Sequence, residues 1–231
     1  MKAVVLLVPG VLCTAAVWQP VIDALGTLAD IRVSVPVEES IADMADSAWD
    51  SVGDIAPDVP LILAGFSLGG FVVLDMLARS RRPVHAVAFV STSARPETPE
   101  GAVMRGKTIA ALGKDFARAV EGIIQFASPT ASAELVEDLR RMMREVGPGI
   151  AVRQNRAAQV RADHRPALPR LDLPVVVLCG TDDRVTPPDR SREMAQLIPG
   201  ARLELVEGAG HMLPREHPEI VARALRALLP A

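Results

Sequence analysis

Residues 61–70 read LILAGFSLGG. The apolar run Leu61–Phe66 predicts a parallel strand that is buried on both faces. The segment Leu68–Arg79 has helix-forming residues at helical spacing. Between the two, the chain matches the pattern G-x-S-x-G with Ser67 at its centre. These residues therefore predict a buried strand, a sharp turn that carries Ser67, and a helix.

This turn suits a nucleophile for physical reasons. The chain doubles back against the positions two residues away from Ser67, and both of these, Gly65 and Gly69, are small. The N-terminus of the following helix favours negative charge at the serine oxygen, through its free N–H groups and its dipole. The five residues alone leave open a glycine-flanked turn whose serine has no chemical role.

Composition narrows the class of protein. The chain has 231 residues, a formal net charge of −3 and 49% hydrophobic residues, which suits one α/β domain with a sizeable core. This charge does not favour nucleic acid or a membrane surface as a partner. Cys13 and Cys179 have no metal or redox spacing, so we expect reduced thiols in a cytoplasmic protein. Residues 1–8 predict a first strand rather than a signal peptide.

Strand and helix patterns alternate along most of the chain, which predicts a mostly parallel sheet with helices on both faces. The predicted strands are Ala3–Val8, Arg32–Val37, Leu61–Phe66, Ala86–Ser91, Val175–Cys179 and Arg202–Val206. The predicted helices between them are Val17–Leu28, Ile41–Ile55, Leu68–Ser80, Asp189–Leu197 and His217–Leu229.

One region breaks this alternation. Between Ser93 and Pro169 the sequence predicts helices only, punctuated by prolines. Those helices are Glu100–Leu112, Asp115–Phe126, Ser132–Val146 and Gly149–Val160. We therefore predict one domain with a core of residues 1–95 and 167–231 and a helical cap of about residues 96–166. Because the cap follows the fourth strand at its carboxyl end, we expect it to wall a substrate pocket.

A serine, an acid and a histidine follow three of the predicted strands, in that chain order. Ser67 follows the third strand, Asp182 and Asp183 follow the fifth, and His211 follows the sixth. Because the carboxyl ends of parallel strands meet at one edge of a sheet, we expect these side chains to meet there. His211 lies in a glycine-rich loop, unlike the other three histidines, His85, His164 and His217, so it is the candidate base.

These residue types support acyl transfer. Serine needs an adjacent base to take its proton, imidazole titrates near neutrality, and an aspartate on the far ring nitrogen orients the imidazole and stabilises its cation. We assign the oxyanion donors to the backbone N–H groups of Leu68 and Val11. Cys13 is an alternative nucleophile, but no base is evident beside it, and a packed thiol is favoured.

At this point the chain resembles the α/β-hydrolase superfamily over nearly its whole length. Residues 65–69 resemble the nucleophile elbow of the family, and residues 208–212 resemble its histidine loop. Residues 180–187 resemble the acid loop G-x-x-D-x-x-x-P, which selects Asp183 over Asp182. The resemblance implies an α/β-hydrolase fold that begins at the third strand of the family, hence about six core strands. The chain has Pro9-Gly10 where the family usually has His-Gly.

The resemblance also implies a function. Serine at position 67 and the absence of tyrosine disfavour the dehalogenase and epoxide hydrolase branches. The short cap and the run Val11–Trp18 resemble small carboxylesterases, including pimeloyl-carrier methyl esterases. The implied activity is hydrolysis of a carboxylic ester through an acyl-serine, without cofactor or metal. Lactonases, thioesterases and carbon–carbon hydrolases share the same triad. Alternatives of another class are a lyase or synthase and a non-catalytic small-molecule receptor.

The cap offers two further hypotheses about the substrate. Thr98–Arg170 contains twelve Lys or Arg against eight Asp or Glu, which would suit an anionic substrate or an acidic carrier, although solvated helix faces are the favoured interpretation. The arginines cluster in its second half: Arg140, Arg141, Arg144, Arg153, Arg156, Arg161 and Arg165. The candidate acyl-pocket residues are Leu12, Phe116, Ile124, Met142 and Met212. Packing within the cap is the alternative for its members, and either a monomer or a homodimer is compatible with the sequence.

Overall fold

A computed structural model describes residues 2–230. Its centre is a six-stranded sheet in which all strands are parallel, in the order β2-β1-β3-β4-β5-β6. The strands are β1 (Val4–Val8), β2 (Asp30–Val33), β3 (Leu61–Phe66), β4 (Ala86–Val90), β5 (Val175–Gly180) and β6 (Arg202–Val206). The predicted sheet is thereby confirmed, and its strands are entirely rather than mostly parallel.

Nine α-helices occur within residues 2–230. They are α1 (Gln19–Leu25), α2 (Ile41–Asp50), α3 (Leu68–Ala78), α4 (Pro99–Lys114), α5 (Phe116–Ala127), α6 (Ala133–Gln159), α7 (Pro188–Leu197), α8 (Leu213–Glu216) and α9 (Pro218–Arg226). Short 3₁₀ turns cover Ala15–Trp18 and Arg165–Arg170. The three helices α4, α5 and α6 form the helical insertion after the fourth strand, as predicted.

Both faces of the sheet are buried, because the side chains of each strand alternate between two apolar clusters. In β1, Val5 and Leu7 face one cluster, which contains residues of α1, α8, α9 and the inserted helices. The alternate residues Val4, Leu6 and Val8 face the other cluster, which contains residues of α2, α3 and α7. This two-sided burial explains why the central strands read as continuous apolar runs.

The second strand was predicted at the wrong position. It pairs with β1 from Asp30 to Val33, rather than extending over Arg32–Val37. The last bond of this ladder runs from the N–H of Ser34 to the carbonyl of Leu7, at 3.1 Å. Pro36 has no N–H to donate and restricts the residue before it, so the ladder cannot continue through this segment.

The longest helix, α6, contains a kink where the sequence predicted a break between two helices. Gly147 has φ 76° and ψ 166°, and Pro148 follows it. A positive φ suits glycine, and proline cannot donate a hydrogen bond to the preceding turn. The two halves of α6 therefore run in different directions. Leu139 and Met143 of the first half join one apolar cluster, whereas Ala157 and Ala158 of the second half join the other.

Candidate active site

Ser67 lies between the last residue of β3 and the first residue of α3. Its backbone has φ 51° and ψ −114°, which is uncommon for a residue with a side chain. Its N–H donates to the carbonyl of Val90 at 3.0 Å, and its carbonyl accepts from the hydroxyl of Thr92 at 2.7 Å. Such strain persists only where the surroundings hold the residue in place, and these two bonds do so.

Gly65 and Gly69, on either side of Ser67, must be glycines because other backbone atoms pass very close to them. A Cβ on Gly65 would lie 2.4 Å from the carbonyl oxygen of Gly69. A Cβ on Gly69 would lie 2.0 Å from the carbonyl oxygen of Val8 in β1. Either substitution would push the strand and the helix apart. These glycines therefore let the turn that carries Ser67 sit tightly against the sheet.

His211 reaches Ser67 from the loop after β6. Its Nε2 lies 3.0 Å from Oγ of Ser67, and the residue is 5% exposed. The backbone N–H of His211 donates to the carbonyl of Ala127 at 2.8 Å, at the C-terminal end of α5. The ring also packs against Phe66, with 5.2 Å between ring centroids. The imidazole is therefore held by both the core and the inserted helices.

Asp183 occupies the other side of the imidazole. Its two carboxylate oxygens lie 2.9 and 3.0 Å from Nδ1 of His211. One oxygen also accepts from the N–H groups of Val185 and Thr186, and the other from the hydroxyl of Thr186 at 2.8 Å. Burial raises the pKa of Asp183, but His211 and these hydrogen bonds lower it more, so its pKa lies below the ordinary value. The competing candidate, Asp182, is exposed.

Two backbone amides, those of Leu68 and Val11, are assigned to the oxyanion site. Leu68 follows Ser67 in the chain, whereas Val11 belongs to a loop that packs on Ser67. Leu68 is the first residue of α3, so its N–H has no partner within the helix. Val11 lies in the loop after β1, and this loop packs directly on the nucleophile, since a Cβ on Gly10 would be 3.1 Å from Cβ of Ser67. Neither amide donates to an acceptor anywhere in residues 2–230. Both are free to donate to a substrate oxygen.

The candidate acyl-pocket residues share one apolar environment. Four of them, Leu12, Ile124, Met142 and Met212, are at most 5% exposed and belong to the same buried cluster. Phe116 is half-buried and packs against that cluster. Membership of this cluster is compatible with a pocket wall and with simple packing.

Two positioning groups were missed by sequence reasoning. Thr186 donates its hydroxyl to Asp183, and the same oxygen lies 3.4 Å from Nδ1 of His211. Glu216 accepts from the N–H groups of Gly210 and Met212, on either side of His211, and from the hydroxyl of Ser128. The sequence shows only that Thr186 lies close to the acid and Glu216 close to the base along the chain. Whether their side chains contact the site depends on how the loops fold, so the sequence alone does not identify them.

Most of the clustered arginines are paired within the chain. Arg140 and Arg144 approach Glu121, Arg141 pairs with Asp138, Arg161 with Glu97, and Arg165 with Asp163. Arg153 and Arg156 have no carboxylate within 4.0 Å in residues 2–230. The pairing favours the structural interpretation of this cluster over a binding surface for an anion.

The alternative nucleophile is chemically inert. Cys13 is fully buried, and this burial raises the pKa of its thiol to about 12. Cys179 is likewise buried, with its pKa raised to about 12, and neither cysteine is in a disulfide. At neutral pH both are therefore protonated, whereas a nucleophilic cysteine must be a thiolate.

Neither a metal-binding cluster nor a membrane-spanning helix is found in the part of the chain that the structure describes. Over residues 2–230, no three His, Cys, Asp or Glu side chains are grouped so that they could hold a metal ion. In the same range, no helix combines the length and the apolar character needed to cross a bilayer.

Comparisons with known proteins agree with this architecture. A pimeloyl-[acyl-carrier protein] methyl ester esterase of Neisseria meningitidis serogroup C is 30% identical over 181 residues, or 73% of this chain and 69% of the relative. A thermophilic esterase from Thermogutta terrifontis superposes with a TM-score of 0.87 at 23% identity, covering 98% of this chain and 89% of the other. An esterase from Exiguobacterium antarcticum gives a TM-score of 0.85 at 17% identity, covering 98% and 92%.

The family profile decides the classification. This profile of the alpha/beta hydrolase family matches residues 5–224, a range that includes β1 from its second residue, the other five strands and the inserted helices. The chain belongs to the alpha/beta hydrolase family.

Proposed function

We propose that this protein is a serine hydrolase that cleaves a carboxylic ester through an acyl-serine intermediate. The observation that carries the proposal is the contact of 3.0 Å between Oγ of Ser67 and Nε2 of His211, with the buried carboxylate of Asp183 on the far ring nitrogen. This geometry suits a nucleophile, a base and an orienting acid.

The first half-reaction forms the acyl-enzyme. Ser67 Oγ attacks the ester carbonyl while Nε2 of His211 takes the hydroxyl proton. The carbonyl oxygen becomes an oxyanion, which accepts hydrogen bonds from the N–H groups of Val11 and Leu68. His211 then gives the proton to the alcohol oxygen as the carbon–oxygen bond breaks. Asp183 stabilises the imidazolium throughout and keeps Nδ1 protonated.

The second half-reaction releases the acid. His211 takes a proton from water, the water oxygen attacks the acyl carbon, and the same two N–H groups hold the second oxyanion. The proton returns to Oγ of Ser67 when the carbon–oxygen bond to the serine breaks. The products are a carboxylic acid and the free enzyme.

A small or acyl-chain ester is the substrate class that best fits the surroundings. The candidate acyl-pocket residues, Leu12 and Met212 of the core and Ile124 and Met142 of the inserted helices, belong to one buried apolar cluster. An apolar acyl group would be stabilised against these side chains by burial of its surface. The name of the Neisseria relative, a methyl ester esterase, supports an ester as the scissile group.

The test combines a serine-directed probe with substrate turnover. Wild type, Ser67→Ala and a control, Ser91→Ala, are treated with a fluorophosphonate and assayed on short- and medium-chain p-nitrophenyl esters. Ser91 is a suitable control because it, too, is a serine with positive φ after a strand, whereas its side chain is fully buried and its hydroxyl has no partner in residues 2–230. We expect labelling of wild type and Ser91→Ala, and turnover that falls by about 10³-fold or more in Ser67→Ala.

Two results would contradict the proposal. Turnover that survives Ser67→Ala would remove the serine from the mechanism. Labelling of Ser67 without turnover of any ester would leave the nucleophile in place but reject ester hydrolysis, and would direct attention to carbon–carbon cleavage or a lyase reaction.

A further inference from the structure

A glutamine from the inserted helices contacts the loop after β1, which packs on the nucleophile. Gln154 lies in the second half of α6, and its side chain is completely buried. Its carbonyl oxygen accepts from the backbone N–H of Leu12 at 2.9 Å, and its amide nitrogen donates to the carbonyl of Pro36 at 2.7 Å. Both ends of the amide are therefore used, and both partners lie on loops that leave the sheet.

The loop that Gln154 contacts is a tight turn over residues 10–13. The N–H of Cys13 donates to the carbonyl of Gly10 at 3.3 Å and closes the turn. Leu12, the third residue of the turn, has φ 60°, a value that type II turns require at this position and that usually selects glycine. A leucine there is strained, so contacts from outside the turn must hold it.

The bond from Gln154 supplies such a contact. Leu12 is 2% exposed, so its N–H would be left without a partner if the glutamine were absent. The preceding peptide unit of the turn carries the N–H of Val11. The turn is also held by the N–H of Cys13 on the carbonyl of Gly10 and by the thiol of Cys13 on the carbonyl of Val11. The bond to Gln154 fixes the N–H side of the Val11–Leu12 peptide, and through it limits the rotation of the adjoining Gly10–Val11 peptide.

We infer that Gln154 is a positioning residue that holds the turn of residues 10–13 so that the N–H of Val11 faces the oxyanion. This inference rests on the proposed function. Under this inference the inserted helices support the oxyanion site through Gln154, while both assigned N–H donors belong to the core. Since the oxyanion exists only during the chemical steps, the contact acts on kcat and leaves binding of the ester in the ground state nearly unchanged.

The direct test is Gln154→Met, which keeps the length of the side chain and removes both hydrogen bonds. The matched control is Asn155→Leu on the same helix, since Asn155 is also buried but bonds only to Ala151 and Arg105 within the inserted helices. We expect Gln154→Met to lower kcat by about 10- to 100-fold, with KM changed by less than about 3-fold. Asn155→Leu is expected to lower thermal stability without this selective loss.

A transition-state analogue separates positioning from general destabilisation. A trifluoromethyl ketone forms a tetrahedral adduct with the serine and places its oxyanion where the ester oxyanion would lie. We expect its affinity for Gln154→Met to fall by the same factor as kcat, while the carboxylic acid product binds as it does to wild type. Equal weakening of both ligands would mean that the variant has only loosened the fold, and would overturn the inference.

Amide exchange provides a measurement that needs no variant. In wild type the N–H of Leu12 is expected to exchange slowly, because it is buried and bonded to Gln154. Exchange at the rate of an open loop would overturn the contact, whatever the protein catalyses. If wild type shows neither labelling nor ester turnover, the proposed function fails instead. If wild type is active and Gln154→Met keeps its kcat and its affinity for the ketone, the inference alone fails.

Discussion

At the scale of single residues, the acid of the site depends on the groups that surround it. Asp183 is 3% exposed, and a buried carboxylate is stable only when it is paired and hydrogen-bonded. His211, two backbone N–H groups and one hydroxyl meet this need. The hydroxyl of Thr186 can be removed by a substitution that changes neither the backbone nor a predicted catalytic residue.

We predict that Thr186→Val lowers kcat/KM for the best p-nitrophenyl ester by about 10-fold, because a hydrogen bond to a charged group contributes about 1.5 kcal/mol or more. The valine has nearly the same shape, so the carboxylate loses a donor while packing is kept. Steady-state kinetics at pH 8 measure the effect. Thr108→Val is the control, since that hydroxyl bonds only to Met104 within α4. A Thr186→Val enzyme as active as the control would show that the hydroxyl does not support the acid.

At the scale of elements, one arginine ties the beginning of the insertion to its end. The guanidinium of Arg161, just beyond α6, donates to Glu97 and to the carbonyls of Arg95 and Pro96, which precede α4. It also lies 4.6 Å from the ring centre of Phe71 on α3. Burial, opposed by Glu97, lowers the pKa of Arg161. Such a buried pair is sensitive to the loss of either partner.

The carboxylate of Glu97 makes the stability of the fold depend on pH in the acid range. Burial raises the pKa of Glu97, but Arg161 and Arg105 lower it more, to about 2 from its ordinary 4.5. A carboxylate with a lowered pKa in the folded state stabilises the fold above the unfolded pKa. That contribution is lost as the pH falls from about 4.5 to about 2.

We therefore predict that Glu97→Gln costs about 3 kcal/mol of unfolding free energy at pH 7, and roughly 1 kcal/mol less at pH 3.5. Urea unfolding at the two pH values measures the difference. Glu145→Gln is the control, because Glu145 is exposed and has no cationic partner within 4.0 Å in residues 2–230. If the difference in unfolding free energy between wild type and Glu97→Gln were the same at both pH values, the ionised carboxylate of Glu97 would not be what stabilises the fold.

Element boundaries show what the sequence can and cannot reveal. The strand Leu61–Phe66 was predicted to the residue because burial on both faces makes it apolar throughout. The edge strand Asp30–Val33 was misplaced because it is half-exposed and its bounds are set by pairing with β1. The contact of Gln154 with Leu12 joins residues 142 positions apart, and no local pattern announces it.

At the scale of the whole molecule, the predicted catalytic residues could be located because the topology is simple. When all strands are parallel, their carboxyl ends share one edge, so three loops distant in the chain converge there. The side chains that contact these loops were not foreseen, since Glu216 of the core bonds to Ser128 of the insertion and Gln154 of the insertion bonds to Pro36 of the core. The candidate catalytic residues could be chosen from the strand ends, whereas the contacts that surround them could be seen only in the packed structure.

The apolar packing of α6 on the core bears on whether the inserted helices unfold as a separate unit. Leu139, Met142 and Met143 of α6 share one buried cluster with Leu12 and Leu213 of the core. A cluster shared in this way cannot open on one side without exposing the other. We predict that residues 1–231 unfold in one cooperative step, with a calorimetric enthalpy about equal to the van't Hoff enthalpy. Scanning calorimetry measures both values.

The variant Glu97→Gln sharpens this last test, because it weakens the junction between the insertion and the core. If the molecule is one unit, the variant shifts the single transition to lower temperature and leaves its shape unchanged, since the shared cluster still couples the two parts. If the inserted helices melt on their own, wild type shows two transitions and the variant separates them further. Loss of ester turnover before the main heat absorption would also contradict a single cooperative unit.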